Sequence, residues 1–425
     1  MKYTRRLDTK QTSNNQDYNF HEVLDNFVYD SHPNTYLTRI IISLKAQAPI
    51  MSIKELMSIL SEDVVDEAHY QGQLSNKVGA FKVLLDQSIS YNKNISLDIF
   101  ESPRKHYRLR AEFKVWHDGE QTYFAMTEKA TKELVYLQQF PVAVKPINQL
   151  MPKLLSAICQ HEITRKKCFQ VEFLSTLTGD TLVSLIYHKR LDDEWIEAMT
   201  PIKEQLGINI VGRSRKQKIV LDRDYVNESL SVNNQMFHYK QIEGGFSQPN
   251  GKICEQMLAW AVDNSREFSG DLLELYCGNG NFTLPLSQNF NRVIATEISK
   301  TSVNAALANL EKNDINNVAI VRMSSEEFVE AMDKKREFRR LKNIDLDTYA
   351  FSSVFVDPPR AGLDAATVSM VQRFDNIIYI SCNPETLINN LQILTQTHTI
   401  KSLAAFDQFP YSDHLETGVI LSKKP

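Results

Sequence analysis

The chain has 425 residues, 42% of them hydrophobic and 24% charged, which is typical of a globular protein rather than a disordered or fibrous one. Its formal net charge is −4, and no stretch approaches the roughly 20 consecutive apolar residues that a membrane span requires. The five cysteines lack the CxxC spacing of zinc and iron–sulfur sites, and their odd number argues against a disulfide framework. We therefore expect a cytoplasmic protein with no membrane association, no metal and no iron–sulfur cluster.

The first 240 residues divide into three zones. Residues 1–55 are polar and Asn-rich, and we predict an appendage, disordered or absent from the folded core; Met51 and Met57 lie where a shorter chain would begin. Residues 56–100 are predicted to be helical, and residues 101–240 to form an α+β domain. This central zone carries 21 Lys and Arg against 17 Asp and Glu. The excess favours a phosphate-facing surface, although a solvated face explains it equally well.

Residues 241–425 alternate apolar strand patterns with helical patterns. The strand candidates are 272–276, 292–296, 319–322, 353–356, 376–380 and 418–421. Such alternation predicts βαβ units, and hence an α/β domain with a doubly wound, Rossmann-like parallel sheet.

A glycine-rich turn follows the first of these strands. Gly278 and Gly280 permit backbone angles and a close ligand approach that side chains would prevent, but Thr283 stands where a dinucleotide fingerprint requires a third glycine. The acidic Glu274 before the turn and Glu297 at the end of the next strand favour S-adenosylmethionine. That molecule has no pyrophosphate, and its amino-acid and ribose groups suit carboxylate partners. A turn that only joins strand to helix is the alternative.

Two further motifs lie at the ends of apolar strands. Asp357 precedes two prolines that end a strand and hold its side chain at the carboxyl edge of the sheet, where such folds bind ligands. Amino-directed methyltransferases often place an aromatic residue after such a pair, whereas here Arg360 follows. Cys382 stands between another apolar strand and a helix, whose positive terminus favours thiolate. We predict Cys382 as a nucleophile and the other four cysteines as structural.

Taken together, the motifs closely resemble those of the bacterial TrmA-type tRNA (uracil-5-)-methyltransferases over about residues 57–425. The matching segments are 106–113, 116–119, 187–195, 246–250, 274–282, 357–360, 381–386 and 406–416. The resemblance implies an S-adenosylmethionine-dependent methyltransferase domain over 241–425, preceded by an RNA-recognition domain over 101–240. It further implies methylation of C5 of uridine 54 in the tRNA T loop, which forms ribothymidine through a covalent Cys–C6 adduct.

The resemblance also assigns roles to individual residues. The cofactor contacts it implies are Gln248, Tyr276, Asn281, Glu297 and Asp357. Cys382 is the implied nucleophile and Glu416 the implied base. These types suit the chemistry, because thiolate addition at C6 makes the poorly nucleophilic C5 reactive, and a base must then remove the C5 proton. Neither Gln248 nor Glu416 stands out without the resemblance.

RNA contacts are expected in the central zone, which should bind the T arm of tRNA. Arg108 and Arg110, together with the basic cluster 212–218, are candidate phosphate contacts, although a solvated face explains each cluster on its own. Phe169 and His188 are loop contacts by resemblance. The target base must leave its stacked loop to reach the thiol, so we expect a flipped nucleotide.

Two other functions stay open. An rRNA uracil-5-methyltransferase of the same superfamily usually carries an extra barrel and a four-cysteine iron–sulfur cluster, which five scattered cysteines cannot supply in that pattern. A non-catalytic RNA-binding protein on a methyltransferase fold is disfavoured by the intact Cys382. We expect a monomer, and the sequence does not separate tRNA from other RNAs with a T-arm-like hairpin.

Overall fold

The computed structural model of the chain describes residues 52–61, 67–128 and 131–425. Two helices open this part of the chain, α1 (Ile53–Ser61) and α2 (Glu67–Ser88). Helix α1 begins inside the predicted appendage, where Ile53 is buried and its backbone amide donates to the Glu128 carboxylate. The rest of that prediction, residues 1–51, lies outside the described residues. Within the described ranges, no helix is long and apolar enough to cross a membrane.

The central zone contains a seven-stranded sheet with three helices. After β1 (Leu97–Phe100), its elements are β2 (Arg110–Asp118), β3 (Gln121–Thr127), β4 (Leu134–Leu137), α3 (Lys145–Cys159), α4 (Glu162–Arg165), β5 (Cys168–Ser175), β6 (Thr181–Tyr187), α5 (Asp193–Leu206), β7 (Asn209–Ser214) and β8 (Gln217–Val220). The strand order is β4-β3-β2-β5-β6-β7-β8. Only β6 and β7 pair in parallel, because helix α5 carries the chain back between them. The expected α+β character is confirmed.

The C-terminal half begins with a hairpin, β9 (Tyr225–Val232) and β10 (Gln235–Ile242), and continues as alternating helices and strands. The later elements are α6 (Gly251–Asn264), β11 (Asp271–Leu275), α7 (Thr283–Leu286), β12 (Val293–Thr296), α8 (Lys300–Lys312), β13 (Val318–Val321), α9 (Ser325–Met332), β14 (Phe351–Val356), α10 (Ala365–Val371), β15 (Asn376–Ser381), α11 (Pro384–Leu394), β16 (His398–Phe406) and β17 (Glu416–Lys423). Eight strands form one sheet in the order β1-β16-β17-β15-β14-β11-β12-β13.

All six strand candidates of this half are found, with ends within two residues of those expected. They were recognisable because strands buried on both faces are nearly continuous apolar runs, as β11 and β15 are. The doubly wound α/β fold is confirmed, but the parallel order ends at β15. Strand β17 runs antiparallel to both β15 and β16, and the short β1 from the N-terminal part completes the edge in parallel with β16.

The β9–β10 hairpin lies in the zone that the sequence assigns to the central domain, yet it packs on the C-terminal half. Leu230, Phe237 and Tyr239 share an apolar core with residues of α6. Along β10, the backbone amide of His238 donates to Asn313, which caps the C-terminus of α8, at 2.8 Å, and that of Lys240 donates to Asn309 within α8, at 2.6 Å. The hairpin thus forms a wall beside the sheet edge where β11 ends.

Candidate active site

The glycine-rich turn joins β11 to α7, and three of its residues have left-handed backbone conformations with positive φ. Tyr276, Gly278 and Gly280 have φ values of 62°, 56° and 83°. At Gly280 a Cβ would lie 2.9 Å from a Leu284 methyl carbon, so a larger residue would force a shift there. A positive φ is uncommon outside glycine, and Tyr276 is held in it partly by its hydroxyl, which donates to Ser325 Oγ at 2.7 Å.

A cavity that is partly open to solvent lies beside this turn. Four of the five predicted cofactor residues line it, namely Gln248, Tyr276, Asn281 and Asp357. Gly278 also lines it, and no atom lies within 4 Å of the position that a Cβ on this residue would take. The structure therefore brings these separate segments of sequence to one concave site.

Glu297, the fifth predicted cofactor residue, follows β12 and reaches back to the turn. Its Oε2 accepts from the Gly278 amide at 3.1 Å, and its Oε1 from the Ser299 amide at 2.7 Å. Two backbone donors thus fix the carboxylate, and each oxygen keeps a second acceptor position for a ligand.

The cavity is rich in hydrogen-bond acceptors. Burial raises the pKa of Glu228 to about 7, that of Glu274 to about 8 and that of Asp357 to about 7. Among the described residues, Glu274 Oε2 and Gln241 Oε1 are buried in the cavity wall without a hydrogen-bond partner. Such a wall suits a ligand with a positive charge and several donors. The ammonium, sulfonium and ribose hydroxyl groups of S-adenosylmethionine meet that requirement.

Cys382 and Glu416 come together across the β15–β17 pair. Ser381 pairs with Thr417 in this antiparallel register, so continuing it by one residue sets Cys382 opposite Glu416. Directly opposed residues have Cβ atoms about 4.5–5.5 Å apart. Glu416 is buried at the start of β17, whereas Cys382 is only partly buried.

The surroundings of the Cys382 thiol favour its protonated form. Burial raises its pKa well above the usual range, the carboxylates of Glu416 and Asp357 raise it further, and Arg360 opposes them. The sequence predicts a thiolate, because Cys382 stands just before the N-terminus of α11. Burial and the neighbouring acids act on the thiol pKa in the direction opposite to the helix terminus. Asp357 both lines the cavity and acts on this thiol, so cavity and thiol share one edge of the sheet.

The sequence matches the family model described as tRNA (Uracil-5-)-methyltransferase over residues 69–424. The chain belongs to this family. A tRNA/tmRNA (uracil-C(5))-methyltransferase of Cellvibrio japonicus is 54% identical over 357 residues, which cover 84% of this chain and 96% of that protein. One of the same name from Neisseria meningitidis is 56% identical over 333 residues, which cover 77% of this chain and 91% of the relative.

A solved structure shares the fold of this methyltransferase. The crystal structure of Pyrococcus abyssi tRNA (uracil-54, C5)-methyltransferase in complex with S-adenosyl-L-homocysteine superposes with a TM-score of 0.63 at 20% sequence identity, over 83% of each chain. The predictions of the family, of a Rossmann-like methyltransferase fold and of methyltransferase activity are confirmed.

Two predicted RNA contacts of the methyltransferase meet in a second cleft, in the central sheet. The rings of Phe169 and His188 stack with centroids 3.7 Å apart and planes inclined by 9°. The cleft is open to solvent and has a volume of about 790 Å³, and its basic lining residues are Lys189, Arg190, Arg215 and Lys216. A stacked pair of rings among cations is therefore presented in a recess large enough for nucleotides.

The predicted contacts Arg108 and Arg110 lie elsewhere, at the junction of the two halves. Arg108 is only 6% exposed, and its Nε donates to the Arg110 carbonyl at 2.9 Å. Arg110 donates to the Gly245 carbonyl at 2.9 Å, and burial lowers the pKa of its guanidinium. Of the predicted basic cluster, Arg213 is paired with Glu243 at 2.5 Å. These arginines are engaged within the protein, and one of the cleft cations, Lys189, likewise donates to the Ile163 carbonyl.

Sequence reasoning missed three residues of the cavity wall, which are Glu228, Gln241 and Cys254. Cys254, expected to be structural only, is buried and accepts from Asn281 Nδ2 at 3.4 Å, so it helps to orient a predicted cofactor residue. Glu228 did leave a signal, because it occupies an inward position of a strand whose other inward residues are apolar. No group of three or more His, Cys, Asp or Glu poised for a metal occurs in the described part of the methyltransferase.

Proposed function

We propose that this methyltransferase transfers a methyl group from S-adenosylmethionine to C5 of uridine 54 in the T loop of tRNA. The observation that carries the proposal is the opposition of Cys382 and Glu416 at the sheet edge that Asp357 shares with the cavity. A nucleophilic thiol and a base within reach of one pyrimidine ring are what C5 methylation requires. The choice of position 54 rests on the resemblance of the sequence motifs.

The cavity would hold the methyl donor through Gln248, Tyr276, Asn281, Glu297 and Asp357. When bound, S-adenosylmethionine supplies an electrophilic methyl group. Glu297 would accept from the ribose hydroxyls with the two acceptor positions that its backbone donors leave available. The unpartnered Glu274 Oε2 would accept from an ammonium group, and a cation there favours the ionised form of this carboxyl.

The chain's own residues carry the covalent steps. Cys382 loses its proton to water, and its sulfur forms a bond to C6 of the flipped uracil. The C5=C6 electron pair moves onto the C4 carbonyl as an enolate, and C5 then takes the methyl group. Glu416 removes the remaining C5 proton; the C5–H pair restores the double bond, and the Cys382 thiolate leaves.

The central cleft is proposed to bind the T arm. Phe169 and His188 would stack on unpaired loop bases, while the four basic side chains around them would contact phosphates. Arg108 and Arg110 remain predicted contacts for the RNA segment that crosses the junction. Because the relatives' names include tmRNA, a T-arm-like hairpin outside tRNA is also a proposed substrate.

A methyl-incorporation assay tests the proposal. The protein is incubated with radiolabelled S-adenosylmethionine and one of four RNAs: a tRNA transcript, the same transcript with cytidine at position 54, a tmRNA hairpin, or rRNA fragments. We expect label in the first and third only, recovered as 5-methyluridine after nuclease digestion. Labelling of the cytidine-54 transcript would refute the position. Labelling of rRNA without tRNA would establish the rival enzyme, and no labelling would support a binding protein.

A further inference from the structure

A nine-residue segment, residues 407–415, joins β16 to β17 and leads directly into Glu416. We call it the strap. It touches the cofactor side of the site, because Gln408 Nε2 donates to Gln248 Oε1 at 2.7 Å. It also fixes the start of β17, and therefore the carboxylate proposed as the base. Residues of helix α2 hold the strap in place.

One stripe of helix α2 faces the strap with polar side chains. Tyr70, Gln73 and Lys77 are spaced by three and four residues, which sets them on the same helical face. The Tyr70 hydroxyl donates to Asp407 Oδ2 at 2.7 Å, and Gln73 Nε2 donates to the Ser412 carbonyl. Gln73 Oε1 also accepts from the Tyr411 amide at 3.3 Å. A helix remote in sequence thus binds the strap along its length.

Lys77 lies at the centre of these contacts. Its side chain is 6% exposed, and its Nζ is 2.5 Å from Asp407 Oδ1, whose own side chain is fully buried. The same Nζ donates to the carbonyls of Phe409 at 3.0 Å, Ser412 at 3.4 Å and His414 at 3.1 Å. One ammonium group therefore contacts four oxygens of the strap, and the His414 carbonyl among them lies two residues before Glu416.

Burying an ammonium group among so many acceptors constrains geometry more than it stabilises the fold. Buried ion pairs often add little net stability compared with apolar residues of similar size. What Lys77 does impose is one conformation of the strap, because its donors converge on the Asp407 carboxylate and on three strap carbonyls, of which the His414 carbonyl lies closest to Glu416. Cys382 is not on the strap, since it follows β15 and precedes α11.

We infer that Lys77 is a positioning residue that sets Glu416 for removal of the C5 proton. The inference rests on the proposed function. Without Lys77 the strap loosens and Glu416 moves, whereas Cys382 keeps its place. Addition of the thiolate and methyl transfer then proceed, but removal of the proton, and with it release of the thiolate, slows. The loss of Lys77 should thus trap the same methylated adduct as the loss of the base.

The test is a single-turnover reaction of the full chain with a labelled T-arm RNA and S-adenosylmethionine, resolved by denaturing electrophoresis. The measured quantity is the ratio of protein-bound methylated RNA to released methylated RNA. We expect Lys77→Met to raise this ratio about tenfold or more, because a displacement of about 1 Å can cost about a hundredfold in rate. Lys82→Met, an exposed lysine on the same helix, is the matched control and should keep the wild-type ratio.

A double variant, Lys77→Met with Asp407→Asn, separates positioning from folding. It removes both members of the buried pair, so no unpaired charge remains and much of the lost thermal stability should return. The high adduct ratio should nevertheless persist, because the carbonyl contacts are still absent. If the ratio returns to wild type together with stability, Lys77 is structural only. The double variant also provides the answer should Lys77→Met alone fail to fold.

The outcomes distinguish this inference from the proposed function. If wild-type protein makes no methylated RNA and Glu416→Gln traps no adduct, the proposed function fails. If Glu416→Gln traps the adduct but the Lys77 variants keep the wild-type ratio, only the positioning role is overturned.

Discussion

Replacing Glu416 with glutamine should have two opposite effects, which the geometry allows to be estimated. The variant loses the proposed base, so turnover should stop. It also loses a negative charge opposite the Cys382 thiol, one of the groups that raise the pKa of that thiol. Because the thiol pKa is raised, only a small fraction is thiolate at neutral pH. Removing the charge increases that fraction, so the covalent adduct should form faster than in the wild type although no product is released.

The size of the effect follows from Coulomb's law. Two unit charges about 5.5 Å apart, the separation expected for opposed residues, interact by about 3 kcal/mol at an effective dielectric constant of about 20. That corresponds to roughly a hundredfold in thiolate fraction at a fixed pH. Partial exposure of Cys382 screens part of this energy. We therefore expect adduct formation to accelerate by about ten- to a hundredfold.

The assay is a quenched-flow time course of adduct formation with excess enzyme, between pH 6.5 and 9. In both proteins the rate should rise with pH, since the thiolate population grows as pH approaches a raised pKa. The Glu416→Gln curve should lie above the wild-type curve throughout. Asp375→Asn, an exposed carboxylate just before the far end of β15, serves as the charge control and should change the rate by less than about twofold. An adduct rate for Glu416→Gln equal to or below wild type would refute this electrostatic reasoning.

Three further outcomes are expected. Glu297→Ala should weaken S-adenosylmethionine binding in calorimetry by about tenfold or more while tRNA affinity is unchanged, because charge-assisted hydrogen bonds are worth about 1.5–3 kcal/mol each. Glu274→Gln should raise the melting temperature of the ligand-free protein at pH 8.5 but little at pH 4.5. The pKa of Glu274 is raised by burial from 4.5 to about 8, so its ionisation destabilises the fold progressively between these values. Phe169→Ala should lower tRNA affinity without changing the slope of log affinity against log salt concentration. The double variant Arg215→Gln, Lys216→Gln should make that slope less steep, because two phosphate contacts are lost.

Each of these has a clear contrary result. Unchanged calorimetric affinity would remove Glu297 from the cofactor site. A melting difference for Glu274→Gln that is the same at both pH values would show that its ionisation is not coupled to folding. If the Arg215 and Lys216 variant has the same salt dependence as wild type, the cleft cations belong to a solvated face and do not contact phosphates.

Most of the cofactor side of the site was predictable because its residues, apart from Gln248, stand at or just after the ends of apolar strands. A strand buried on both faces is visible as an apolar run, and its carboxyl end is where such sheets bind ligands. The turn after β11 and Asp357 after β14 were found in this way, with no knowledge of strand order. Cys382 was found by the same reasoning at the end of β15.

The part of the site around Cys382 and Glu416 depends on the pairing of strands that are distant in sequence. Such pairing leaves little signal in the local sequence of each strand. Strand β16 has charged and polar residues in its first half, and β1 has only four residues, so neither shows an apolar run. Burial raises the pKa of Cys382, and Glu416 raises it further because β17 lies beside β15. Lys77 is one of three polar residues on the side of α2 that faces the strap, but nothing nearby in sequence identifies Asp407 as its partner.

The position of β17 also bears on the order in which the enzyme becomes competent during synthesis. This strand follows every other strand of its sheet in the chain, yet it lies between β16 and β15. Chains are made at about 5–20 residues per second, so the segment with the proposed nucleophile is complete seconds before the strand with the proposed base. Until β17 inserts, β15 and β16 have no partner between them and the sheet cannot close. A nascent chain that still lacks β17 therefore has Cys382, the proposed nucleophile, before it has Glu416, the proposed base.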